Sequence, residues 1–347
     1  MGGDHGPSVV VPGVRDYLKR NGGEGLRFLL HGDATAISAE LARCRLGDDV
    51  CEVRHTDKVV AMDEKPAQAM RRGKGSSLWN AIEAVKSGEA HAIVSAGNTG
   101  ALMAISKLQL RMSAHGLERP AIVASWPTMR GGITAVLDVG ANVESDAEQL
   151  VEFAIMGEAF VMAVHGVKTP TIGILNVGSE DMKGHEEVRE AARILREAGL
   201  GLTYHGFVEG DDIARGTVDV IVTDGFTGNI ALKTAEGVAK FIAMLMKDAL
   251  TSGVQAKIGG LIALPALKRM REKIDPNALA GGPLLGLNGI VVKSHGGANA
   301  KGFGTAIRTA VELARSDYLE QVGANLARLT TVMKQVEAAP EIAEEIS

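Results

Sequence analysis

The chain is poor in the residues that mark a nucleic-acid platform, a redox centre or a membrane anchor. Aromatics make up 3% of its 347 residues, too few rings to offer bases a stacking surface. Basic residues (37) are fewer than acidic ones (42) and interspersed with them, for a net charge of -5. No basic track exists to neutralise a phosphate backbone, which argues against a nucleic-acid partner and makes any anion site local. No apolar run approaches the ~18 to 20 residues of a spanning helix. Cys44 and Cys51, the two cysteines, have no other ligand-type residues at a metal spacing, so they read as reduced structural or surface thiols and no metal is expected.

Several cofactor and nucleophile signatures are missing as well. Lys301 follows Ala300 where a P-loop needs Gly-Lys. No Gly-x-Gly-x-x-Gly follows a strand, and there is no Gly-x-Ser-x-Gly elbow. ATP, dinucleotides and a serine triad are therefore unsupported, and no cofactor is expected.

What the chain does have is glycine, 43 residues of it, and 46% hydrophobic content. Short apolar runs (Leu26–Leu30, Ala92–Ser95, Ala121–Ser125, Thr134–Asp138, Thr171–Leu175, Val218–Thr223, Gly289–Lys293) read as buried parallel strands. Between them lie helical patterns at Ser76–Ser87, Ala101–Arg111, Ala147–Val164, His185–Ala198, Asn229–Leu250 and Phe303–Arg328. The alternation predicts a three-layer αβα sandwich with a mostly parallel sheet: one α/β domain over 1–330 with a cleft, then an acidic tail at 331–347.

Ligands collect where strand-to-helix loops converge. Those loops are Ser95–Gly100, Asp138–Ser145, Asn176–Gly184, Asp224–Asn229 and Lys293–Gly302. In the first, Gly97, Asn98, Thr99 and Gly100 open a helix, so they form either an anion cradle or a self-capped turn. Ser179 and Lys183 can bind phosphate, or Lys183 is a solvated lysine. Asp224 is a helix cap or a catalytic group, and His295 is a proton donor near neutral pH or a structural hydrogen-bonding group. The stretch Lys257–Ile274 mixes Lys257, Leu261, Ile262, Leu264, Lys268 and Arg269. It suits a membrane interface or a partner, or else internal packing. Gly259-Gly260 and Pro265 predict two short helical pieces or a helical hairpin tip, protruding over 250–275, rather than one straight helix.

Five segments together resemble one family. Met-Gly-Gly-Asp-His-Gly-Pro at the start, Ser-Ala-Gly-Asn-Thr-Gly-Ala-Leu-Met-Ala from Ser95, Asp-Val-Gly-Ala-Asn-Val from Asp138, Asp-Gly-Phe-Thr-Gly-Asn from Asp224 and Gly-Leu-Asn-Gly-Ile-Val-Val-Lys-Ser-His-Gly from Gly286 are similar, in order and spacing, to the PlsX phosphate acyltransferases. The likeness runs to about Arg328.

The resemblance implies a fold like isopropylmalate dehydrogenases and phosphotransacetylases. It also implies transfer of a long fatty acyl group from acyl carrier protein to inorganic phosphate. The acyl phosphate would pass to a membrane-bound glycerol-3-phosphate acyltransferase for phospholipid synthesis. A homodimer is expected, cytoplasmic, with peripheral contact to the inner face of the cell membrane. Alternatives are a phosphotransacetylase-like enzyme using coenzyme A and a non-catalytic lipid-surface scaffold.

On this reading Gly97–Gly100 and Ser179 hold phosphate, Lys183 offsets its charge, and Asn229 polarises the carbonyl. His295, oriented by Asp4 or Asp224, protonates the leaving thiolate. Gly3, Asp4, Asn142, Thr227, Gly228 and Lys301 contact substrate, and Lys257–Lys273 or Arg71, Arg72 and Lys74 receive the acidic carrier. The sequence departs from the family in two places. A short apolar strand is expected before Met1, its absence pointing to a misplaced start codon, and Ala280–Gly286 differs from the usual Gly-Gly-Ala-Pro-Leu-Leu-Gly.

Overall fold

The computed structural model describes residues 2–113, 117, 119–273 and 281–338, less the side chains of 271–273, 328, 330 and 332–338. Ala280, the start of the departing stretch, and the tail from 339 onward lie outside the described residues. In chain order the elements are α1 (Pro7–Asn21), β1 (Phe28–Gly32), α2 (Ala34–Cys44), β2 (Cys51–His55), α3 (Pro66–Arg72), α4 (Ser77–Lys86), β3 (Ala92–Ser95), α5 (Thr99–Leu110), β4 (Ala121–Pro127), β5 (Ile133–Leu137) and α6 (Ala147–His165). There follow β6 (Thr171–Leu175), α7 (Glu186–Glu197), β7 (Thr203–Val208), α8 (Gly210–Arg215), β8 (Val220–Val222), α9 (Gly225–Thr251), α10 (Val254–Lys273), β9 (Gly282–Leu285), β10 (Ile290–Lys293), α11 (Ala300–Arg315) and α12 (Tyr318–Ala338).

Local chemistry starts the helices. Asp33, Ser76, Asn98, Asp146, Asp224 and Asn299 each accept a hydrogen bond from the backbone amide three residues on. Each such cap contributes about 1 kcal/mol. The strands assemble into an eight-stranded sheet, β3-β10-β9-β4-β5-β8-β6-β7, and a separate pair, β1-β2.

Burial alternates along the strands and so fixes the three layers. Ala135, Leu137, Val220, Val222, Ile290 and Val292 join a core with α6, α7, α11 and α12. Their neighbours Val136 and Ile221 pack on the other face with Ile213 of α8, and Val291 does so with Ile82 and Leu102 of α4 and α5. Phe153, Phe160, Leu150 and Met156 of α6 are 0 or 1% exposed. Each such side chain contributes on the order of 1.5–3 kcal/mol.

Three differences from the sequence patterns have physical reasons. The apolar pattern Phe303–Arg328 is two helices, because Ser316 is extended and its hydroxyl accepts from the Tyr318 amide. Lys257–Ile274 is expected as two short pieces or a helical hairpin tip and not as one straight helix. Val254–Lys273 is instead a single helix through Pro265, packed along α9 as a hairpin; Pro265 is exposed, so water can satisfy the carbonyl it leaves without a donor. Strands β2, β7 and β9 escape a search for apolar runs because Glu52, Arg54, His205 and Pro283 interrupt them.

The break between β1 and β3 holds a cavity of about 530 Å³, lined by Phe28–His31, Ala92–Ala96, Val11, Leu78 and Phe303 and reaching Gly2. Phe28 and Gly32 bond toward β2, and Ser95 toward β10. Backbone groups alternate sides along a strand. Leu29, Ala92 and Val94 therefore turn their N–H and C=O groups toward the cavity.

An added strand at this position would pair with those groups and fill the cavity. Joining five apolar, β-branched residues ahead of Met1 is expected to raise stability by on the order of 2 kcal/mol, the surplus of burial and pairing over ordering entropy. Urea unfolding of the extended and parent chains checks this, and an equal or lower midpoint for the extended chain refutes it.

Candidate active site

Two antiparallel strands, β9 and β4, divide the strand-end loops into two groups. β3 and β10 lie side by side and parallel, with Ser95 opposite Lys293. β5, β8 and β6 are parallel to one another, but the antiparallel steps β10-β9, β9-β4 and β4-β5 set them in the opposite sense. β8 is five ladder positions from β3 and β6 is six, or ~24 and ~29 Å at ~4.8 Å per step. The expectation that all five loops close on one mouth is corrected accordingly.

The first group is built from three backbone pieces in contact. Gly3, at φ +78°, leaves no room for a side chain: a Cβ there would stand 2.9 Å from that of Ala96. The Asp4 amide donates to the Gly296 carbonyl at 3.1 Å. From the end of β10, Lys293 Nζ donates to the Ser294 carbonyl and lies 3.5 Å from that of Ala96. Burial lowers the Lys293 pKa to about 8, with Asp4 acting in the opposite direction.

His295 is exposed, and its Nδ1 accepts from the Gly297 amide at 3.1 Å. A neutral imidazole held this way carries its proton on Nε2. Asp4 borders the same turn: a Cβ on Gly297 would lie 3.2 Å from its carboxylate. Of the two carboxylates expected to orient His295, Asp4 is the neighbour. Lys301 lies in the first turn of α11, the helix that follows this loop.

Asn98 is a correction. Its amide group donates to the carbonyls of Ala61, Met62 and Glu64, and its oxygen caps α5 through the Ala101 amide. Every hydrogen-bonding atom of the side chain is thus engaged in holding the 61–64 segment, leaving none for phosphate. Gly97 donates its amide to the Ser95 hydroxyl. Thr99 and Gly100 remain as the first two amides of α5, beside Lys293.

The second group centres on Asp138, 0% exposed. Its Oδ1 accepts from the amides of Ile122, Gly140 and Ala141, and its Oδ2 from those of Ala141 and Asn142 and from Asn142 Nδ2. Burial pushes its pKa up while these amides pull it down. Asn142 also donates to the Pro120 carbonyl and is buried, so it holds the loop rather than a substrate.

Asp224 accepts from the Thr227 amide and hydroxyl, which settles it as the α9 cap. Gly228 is buried against the Asp138 carbonyl, while Asn229 is exposed over Gly140. Lys183 is exposed and pairs with Glu180 at 2.9 Å, and Ser179 stands on the same exposed loop. An ion pair so exposed contributes little. Lys183, Ser179 and Asn229 are not brought to the Gly97–Gly100 turn.

A family model described as fatty acid synthesis protein matches residues 1–321. The chain is 67% identical to a phosphate acyltransferase of Caulobacter vibrioides, over 97% of this chain and 93% of that one. It belongs to the phosphate acyltransferase family. Family relatives from Phenylobacterium zucineum and Maricaulis maris are 58% and 55% identical over 98% of this chain, covering 95% and 96% of theirs. A phosphotransacetylase from Streptococcus pyogenes superposes with a TM-score of 0.61 at 17% identity, covering 89% of this chain and 91% of that one; at that identity the likeness is one of fold. Membership of the phosphate acyltransferase family makes the chain an acyltransferase enzyme.

Two residues were missed by the sequence reading, Lys293 and Asp138. Each is a charged residue directly after a mainly apolar run, Ile290–Val292 and Ile133–Leu137. A charge in that position is a signal the motifs overshadowed.

Among the described residues no group of three or more His, Cys, Asp and Glu side chains can hold a metal, and no helix is long and apolar enough to cross a membrane. Cys44 and Cys51 are both unbridged and buried, as expected of structural thiols.

Proposed function

We propose that the chain transfers a long-chain fatty acyl group from acyl carrier protein to inorganic phosphate, giving acyl phosphate for phospholipid synthesis. The observation that carries this is the juxtaposition, in a member of the phosphate acyltransferase family, of the turn after β3 with Lys293 and His295. Phosphate is itself the nucleophile, so positioning and charge stabilisation suffice. A phosphate oxygen bonds to the thioester carbonyl carbon, the C–S bond breaks, and the thiolate takes the proton that the attacking hydrogen phosphate gives up, while the neutral His295 donates an Nε2–H hydrogen bond to the departing sulfur.

The finer reading includes a homodimer, an acidic carrier docking on exposed cations, and delivery of acyl phosphate to a membrane-bound glycerol-3-phosphate acyltransferase. It also places the chain in the cytoplasm, in peripheral contact with the inner face of the membrane. The α9–α10 hairpin supports a contact role: Leu261 is 71% exposed and Ile262 77%, with Leu264, Lys257, Lys268 and Arg269 exposed beside them. Arg71, Arg72 and Lys74, exposed around the end of α3, offer a second cationic patch.

The test is palmitoyl carrier protein with and without phosphate, reading free thiol and hydroxylamine-trapped acyl phosphate. Thiol release is expected only with phosphate and in equal amount to acyl phosphate, and acetyl-coenzyme A is expected to be a poor donor. Preference for acetyl-coenzyme A would transfer the chain to the short-chain reading.

A further inference from the structure

We propose that Lys293 is the phosphate-binding cation of this enzyme, the role the motifs assign to Lys183. The inference deepens the acyl-transfer reading above and rests on it for the identity of the anion.

Geometry separates the two lysines. Lys293 ends β10 directly opposite Ser95, the last residue of β3, so its side chain is delivered to the turn where phosphate is placed. Lys183 leaves from β6, six ladder positions away, and its ammonium is engaged with Glu180.

Among the described residues no carboxylate is bonded to Lys293. Its two hydrogen-bond partners are the carbonyls of Ala96 and Ser294, and its side chain is largely withdrawn from water. The charged group acting on it is Asp4 on the facing turn, and His295 follows two residues on. The first turn of α5 brings no charge of its own. A half-desolvated ammonium tied only to carbonyl dipoles keeps its charge for an incoming anion, and a divalent phosphate at this turn restores the balance that burial removes.

The cation also stands on the same strand end as His295. One short segment, Lys293-Ser294-His295, would then present both the charge that holds the nucleophile and a hydrogen-bond donor for the leaving group.

The test is direct titration of inorganic phosphate by calorimetry into the full chain and its Lys293→Met, Lys293→Gln, Lys293→Arg and Lys183→Ala variants. One phosphate per chain is expected to bind. Both neutral Lys293 variants should weaken it by at least about tenfold, since a charge-assisted hydrogen bond contributes ~1.5–3 kcal/mol. Lys293→Arg should stay within about threefold of the parent and Lys183→Ala within about twofold, changes small beside that charged contact.

In turnover, the neutral variants should raise KM for phosphate by a similar factor and leave KM for the acyl donor unchanged. Lys293→Met should fold, because it removes a buried charge, and Lys293→Gln carries the same expectation where it does not. Parent-like phosphate binding by the neutral variants, loss of binding in Lys183→Ala, or no binding to the parent would overturn the assignment. Lys293-dependent phosphate binding without any phosphate-dependent thiol release would leave the assignment standing and remove the acyl-transfer reading instead.

Discussion

Gly228→Ala is expected to destabilise the protein by roughly 4 kcal/mol, lowering the melting temperature by about 5 °C. A Cβ at this position would lie 1.9 Å from the Asp138 backbone carbonyl oxygen and 3.0 Å from the Thr223 methyl. Neither contact is the far end of a flexible side chain. Relief requires α9 to move off the 138–142 loop, or the loop to move and give up charge-assisted hydrogen bonds to the buried Asp138 carboxylate, each contributing ~1.5–3 kcal/mol. Overpacking of a tight core commonly costs about 1–3 kcal/mol, and a backbone obstacle adds to that.

Gly237 supplies the control on the same helix, since a Cβ there meets nothing within 4 Å. Gly237→Ala should stabilise by about 0.5–1 kcal/mol, the ordinary gain of alanine over glycine inside a helix. Urea unfolding of both variants reads the contrast. Similar midpoints for the two would mean that α9 is not seated on Asp138 as described.

The same residues show how far the site could be read from sequence. Gly228 stood out in a Gly-Asn helix start, and the motif suggested backbone left bare for a ligand. The structure shows backbone left bare for another piece of backbone. Asn98 shares this ambiguity: its amide satisfies three carbonyls of the 61–64 segment, about 35 residues away in sequence, and no local pattern encodes that partner. Asn142 likewise binds Pro120 and Asp138. Glycine and asparagine at a strand-to-helix turn serve close packing and ligand approach by the same means, so only the tertiary partner separates the two uses.

Fold class was legible because it rests on periodicity. Ala92–Ser95 and Thr171–Leu175 are short, mainly apolar runs and form strands with those bounds. Strand order was not. The antiparallel pair β9 and β4 joins segments some 160 residues apart, and that pairing reverses the sense of half the sheet, which scatters loops that look equivalent along the chain. Lys293 shows the converse: its neighbour Ser95 is remote in sequence, yet a lysine closing an apolar strand is visible once the strand is recognised.

Acid should loosen this fold through His165, by about 3 kcal/mol between pH 7 and pH 4. The ring closes α6, stacks edge-on against Phe160 at 5.5 Å and lies 3.2 Å from the Ser125 hydroxyl. A helix C-terminus ordinarily favours a protonated histidine. Here burial outweighs that preference and, with the Arg308 guanidinium nearby, lowers the pKa to about 4.

The unfolded chain takes up this proton near pH 6.5, well above the pH at which the folded chain does. Between those values the unfolded state holds more protons, so stability falls as pH falls, by about 1.4 kcal/mol per unit at most. His165→Gln cannot titrate. The stability difference between parent and variant should therefore shift by about 3 kcal/mol in favour of the variant on going from pH 7 to pH 4, with the other titrating groups cancelling in the comparison. Parallel pH profiles in urea would show that the His165 imidazole is solvated in the folded protein and that the α6–α11 contact around it is looser than the structure shows.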